Sequence, residues 1–137
     1  MSAIAPASAR ISLGQVALTV SDVGRSTTFY RDAVGLPFLF AAGPTLAFLD
    51  LGGVRLMLSA PEGGLTPGSG TVLYIKVADI EATHAQMRER GVTFIDEPHL
   101  IAKMPDHDLW MTFLKDPDGY TLALMSERPL APGGGRA

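Results

Sequence analysis

The side chains of this sequence that could do chemistry are three histidines, two strand cations and a scatter of aromatic residues. His107 stands between Asp106 and Asp108. A carboxylate beside an imidazole orients the ring and raises its basicity, so this triplet is a candidate acid–base group, or with His99 a source of metal ligands. The other reading is a polar loop at a strand edge. His84 lies in an apolar stripe at helical spacing and reads as a packed histidine. Arg55 and Lys76 share strand parity with Met57 and Val72, so they either meet an anionic ligand or carry their heads to the rim of a site. Phe48, Tyr74 and Trp110 are candidates for a flat wall that stacks on an aromatic or conjugated ligand, with core packing as the alternative. Asp116-Pro117-Asp118-Gly119 lacks the ligand spacing of a calcium loop and reads as a turn.

Composition removes several classes of function. The 137 residues fit one domain, and a 47% hydrophobic share against 18% charged residues is enough to build a core. A formal net charge of −3, with scattered Lys and Arg, gives no footprint for nucleic acid. The absence of cysteine rules out disulfides, thiolate metal sites and a thiol nucleophile, and it fits a cytoplasmic location. Residues 1–10 lack the pattern of a signal peptide, and no apolar run approaches the roughly 18–20 residues of a membrane span, so a soluble, unprocessed protein is expected.

The positioning elements follow from periodicity. Val16, Leu18 and Val20 alternate with Gln15, Ala17 and Thr19, which is a strand with two different faces. Asp22 is a candidate N-cap, and Val23, Thr27, Tyr30 and Val34 recur at helical spacing until Gly35. A strand over 36–41 follows, then a hairpin of strands 46–51 and 54–59 joined across Gly52-Gly53. A glycine- and proline-rich stretch, 61–70, reads as a linker. The pattern then repeats: a strand over 72–77, Asp79 as cap, a helical stripe of Ile80, His84 and Met87, and a stop at Gly91. Strands are expected over 92–95 and 109–115, with an irregular connection over 96–108 between them. The last hairpin is the best determined: Pro117 presets its φ, Asp116 and Asp118 cap local donors, and Gly119 supplies positive φ. The result is an α+β chain of paired βαβββ modules, 13–60 and 71–127, with a disordered lead over 1–12 and a flexible tail over 128–137. Each module curls a mixed sheet around a concave face, its helix on the outer face. The two sheets are expected to join edge to edge, within one chain or between two.

Paired βαβββ modules, the openings Val20-Ser21-Asp22 and Val77-Ala78-Asp79, and the closing Phe-Leu-Lys-Asp-Pro-Asp-Gly-Tyr of residues 113–120 together resemble the vicinal oxygen chelate superfamily. This is the glyoxalase, bleomycin-resistance and extradiol dioxygenase group, and the resemblance covers residues 13–127. It implies a cup-shaped site and, in the family's enzymes, a divalent metal on the cup floor. The four metal positions that it implies fall on Gln15, Met57, Val72 and Ala123. Val, Met and Ala offer a hard cation no usable lone pair, so the resemblance carries over the fold and not the metal.

The expected function is therefore metal-free, cofactor-free binding of a small organic molecule in an apolar cup, as in the drug-sequestering branch of that family. Affinity would come from apolar burial against Met57, Tyr74, Trp110, Ala123 and Met125, at roughly 25 cal/mol per Å², with Phe48 as a further wall and Gln15, Arg55 or Lys76 fixing orientation. The alternative is an enzyme, a glyoxalase-like lyase or isomerase or a dioxygenase, with a divalent metal or with His107 or His99 in acid–base roles. The expected partners are a small-molecule ligand and a second copy in a homodimer, with neither nucleic acid nor membrane.

Overall fold

A computed structural model describes residues 11–130. Two modules follow one another. The first comprises β1 (Gln15–Thr19), α1 (Val23–Thr28), β2 (Phe38–Ala41), β3 (Leu46–Leu51) and β4 (Val54–Ser59). The second comprises β5 (Val72–Lys76), α2 (Ile80–Glu89), β6 (His99–Lys103), β7 (His107–Lys115) and β8 (Thr121–Pro129). Each forms a curled four-stranded sheet, in the orders β1-β4-β3-β2 and β5-β8-β7-β6. The first and last strands of each module pair in parallel and the others antiparallel.

Local chemistry accounts for both helices. The Asp22 carboxylate accepts from the Arg25 N–H and the Asp79 carboxylate from the Ala82 N–H, each at 3.0 Å, which satisfies a first-turn donor. Beyond Thr28 the first helix widens into a π-helical segment, Phe29–Val34, and stops at Gly35, whose φ of 95° a side chain would resist. Leu18, Val20, Leu56 and Leu58 from the first module and Ile80, Leu114, Leu122 and Leu124 from the second belong to one buried cluster beneath the helices. Burying these faces against the helices drives the fold.

The second module departs from expectation at its edge. Residues 92–95 form no strand. Val92 is buried and Phe94 makes a single bridge to Leu114 while its ring packs 4.2 Å from that of His84, so the apolar alternation serves the helix layer. The edge strand is β6, inside the stretch expected to be irregular, and β7 starts at His107 instead of 109. At the far end, Arg128 and Pro129 pair with Asp108 and His107, two residues into the expected tail. The rest of that tail, 131–137, and residues 1–10 of the lead lie outside the described residues.

Among the described residues no ladder joins the two sheets, so within the chain they do not meet edge to edge. The junction is the turn between β7 and β8. Asp118 accepts from the Ser21 N–H at 3.1 Å, from the hydroxyls of Ser21 and Ser26, and from Arg25 at 3.3 Å. Asp116 accepts from the Tyr30 hydroxyl at 2.7 Å and from the backbone N–H of Asp118 and of Tyr120, and the Tyr120 hydroxyl donates to the Thr19 carbonyl. The linker closes on the same turn at Gly68, where an added Cβ would fall 2.2 Å from the Asp118 carbonyl oxygen.

Candidate ligand-binding faces

Strand pleating turns alternate residues toward the helix or toward the concave face, and the registers say which are which. In the first module, Gln15, Arg55 and Asp50 form one concave row, and Ala17, Met57, Phe48 and Phe40 form the next. In the second, the corresponding rows are Val72, Thr121 and Lys115, then Tyr74, Ala123 and Phe113, and beyond them Lys76, Met125, Met111 and His99. Met57 lies opposite Ala17 just as Ala123 lies opposite Tyr74, so the two are equivalent positions in the repeat. Gln15 and Val72, which open β1 and β5, are likewise equivalent.

These four residues do not fit a divalent metal. The Gln15 amide nitrogen sits 3.6 Å from the Met57 sulfur, Ala123 is fully buried, and neither Val72 nor Ala123 has a donor atom. Among the described residues no three His, Cys, Asp or Glu side chains gather closely enough to hold a metal ion.

The expected site residues divide by face. Gln15, Phe48, Arg55 and Met57 share the concave face of the first sheet, and Tyr74, Lys76, Ala123 and Met125 share that of the second. Trp110 does not join them. It lies opposite Ser126, whose hydroxyl donates to the Ala78 carbonyl on the helix side, and its ring is covered at 4.1 Å by Arg128, itself paired with Glu81 of α2. The aromatic residue of β7 that faces the cup is Phe113, opposite Ala123. Its parity could be read from the last hairpin: Lys115 faces Thr121, and counting back in twos reaches Phe113, Met111 and Leu109 but never Trp110.

Polar contacts define the rest. Phe40 stacks on Phe48 with ring centroids 4.5 Å apart at 23°, and the Arg55 guanidinium lies 5.9 Å from the Phe48 centroid. Lys76 pairs with Glu127 at 2.9 Å, and this contact holds the Glu127 carboxyl below its ordinary range. His99 and His107 share the concave parity of the second sheet. The Nδ1 of His99 is 2.8 Å from the Glu97 carbonyl. That of His107 is 2.7 Å from Asp106, whose carboxyl is held low by this hydrogen bond. A hollow of about 240 Å³ opens beside Leu46, Met57, Ser59 and Glu62.

Known proteins agree with this architecture. The sequence model of the Glyoxalase/Bleomycin resistance protein/Dioxygenase superfamily matches residues 12–124. The uncharacterized protein YraH of Bacillus subtilis is 27% identical over 124 residues, spanning 79% of this chain and 92% of that one. The antibiotic-binding protein TnmS3 from Streptomyces sp. CB03234 superposes with a TM-score of 0.67 at 27% identity, over 86% of this chain and 98% of its own. Lactoylglutathione lyase from Agrobacterium tumefaciens shares the fold, with a TM-score of 0.66 at 16% identity over 84% of this chain and 92% of its own. With the repeat, the two curled sheets and the matched span in hand, the chain belongs to the glyoxalase/bleomycin resistance protein/dioxygenase superfamily.

Proposed function

We propose that this protein binds and sequesters a small organic molecule against its concave faces without a metal. The observation that carries this reading is the pair of rows Ala17, Met57, Phe48, Phe40 and Tyr74, Ala123, Phe113, which are apolar where a metal enzyme needs donors. Binding of this kind draws on apolar burial, with a few polar groups fixing orientation. The antibiotic-binding relative supports it. Each face is half a cup, and β1 and β5 are edge strands, with Val72 and Tyr74 on β5 respectively 45% and 55% exposed. A homodimer in which the first module of one copy meets the second module of its partner completes the cup, in the cytoplasm that the cysteine-free composition suits. Sedimentation equilibrium returning the mass of a single chain would remove the dimer from this reading.

A second reading has its own support. His107 and Asp106 place an oriented imidazole on the concave side of β7, as an acid–base enzyme would require. Two measurements separate the readings. Elemental analysis of the purified protein is expected to show less than stoichiometric metal, and His107→Ala is expected to keep ligand affinity. Stoichiometric metal sinks the first reading, and a turnover that His107→Ala abolishes establishes the second.

A further inference from the structure

Resting on the small-molecule reading, we infer that the ligand is a planar aromatic or conjugated anion, with its flat face on the Phe40–Phe48 stack and its negative group on Arg55. Phe48 is buried beneath Phe40, which sits on the edge strand β2 with 46% of its surface exposed. A third flat ring extends such an offset stack at the ordinary spacing between aromatic planes. Arg55 lies one row away, above the same Phe48 ring. Among the described residues it has no ion-pair partner. Asp50, directly opposite, accepts at Oδ1 from the Gly53 N–H at 2.9 Å, and Gln15 on the other side turns its amide to the Met57 sulfur. Among the described residues the other cations of the concave faces are engaged: Lys76 with Glu127, and Lys115 with the Thr121 hydroxyl at 2.7 Å.

An unpaired guanidinium beside a stacked aromatic pair selects by charge as well as shape. It offers a planar fork to a carboxylate, sulfonate or phenolate and repels an ammonium. The hollow beside Met57 and Ser59 continues the strip away from Arg55, so the ligand carries its charge at one end and an apolar body along β4.

Calorimetric titration of the full chain with four probes tests this: 2-naphthoate, 2-naphthalenemethanol, 2-naphthylmethylammonium and cyclohexanecarboxylate. Naphthoate is expected to bind at least roughly tenfold more tightly than each of the others, as one charge-assisted contact allows. Arg55→Gln, at an exposed position, is expected to weaken naphthoate about tenfold more than it weakens the alcohol, with an unchanged melting temperature. If the alcohol or the ammonium binds as tightly as naphthoate, or Arg55→Gln weakens both naphthyl probes equally, the charge assignment falls and small-molecule binding stands. If cyclohexanecarboxylate matches naphthoate, the aromatic assignment falls. Absence of saturable binding by all four overturns this inference together with the reading beneath it.

Discussion

Ala123 stands where the family resemblance implies a metal-ligating carboxylate, and it offers no donor atom. It is fully buried under Tyr74 and Phe113, where the repeat places Met57 in the other module, and neither atom set can hold a hard cation. Elsewhere single polar side chains are held tightly. Burial and the neighbouring Asp116 carboxylate push the Tyr30 phenol well above its ordinary value, so the folded protein keeps that proton. A group whose pKa is raised on folding stabilises fully below its unfolded value and loses that contribution as pH rises past it. Unfolding free energy is therefore expected to fall above pH of about 10, by about 1.4 kcal/mol per pH unit from this group. Tyr30→Phe should cost about 1 kcal/mol at neutral pH and lack this alkaline slope. Urea melts of both proteins between neutral and alkaline pH check it, and parallel curves would refute it.

At the scale of elements, the pleat of β7 decides which residues turn to the concave face and which to the helix. Trp110 and Phe113 are three residues apart and face opposite sides. Trp110→Ala is expected to lower stability by about 2 kcal/mol and leave the ligand affinity of the folded protein intact, because the loss is helix-side packing. Phe113→Ala should weaken ligand binding several-fold through lost apolar contact. Titration calorimetry beside thermal melts checks the pair, and a reversed pattern would place the site on the helix side. Aromatic type alone suggested Trp110, whereas the hairpin register already held the parity that excludes it. The edge strand β6 was harder to read. Its His-Leu-Ile-Ala-Lys alternation is interrupted by a register shift at Ile101, and Val92 with Phe94 offers a competing strand pattern that the structure uses to cover the helix layer.

Across the whole molecule, the turn over residues 116–119 is the clasp between modules. Asp118, whose side chain is almost wholly buried, gathers Ser21, Arg25 and Ser26 at the start of α1, and Gly68 of the linker packs on its carbonyl. Asp118→Ala leaves those donors without their carboxylate, so a loss of about 3 kcal/mol and a lower melting temperature are expected. An unchanged thermal midpoint would show that the clasp contributes nothing. The equivalent turn of the first module, Asp50-Leu51-Gly52-Gly53, meets β5 across an open cleft of about 550 Å³ instead. The junction of this pseudo-symmetric pair is thus closed by polar contacts on one side only. Among the described residues β1 and β5 each remain at the edge of their sheet.

By itself, the sequence determined the repeat, the α+β class, the N-caps Asp22 and Asp79, and the absence of hard donors at Met57, Val72 and Ala123. All of these are local facts of periodicity, capping chemistry and residue type. Only the tertiary structure decided that the last turn joins the modules and that, among the described residues, Arg55 has no ion-pair partner above Phe48 while Lys76 is engaged. These outcomes depend on which strands pair and in what register, and hydrogen bonds between residues up to 101 positions apart carry no signature in local spacing.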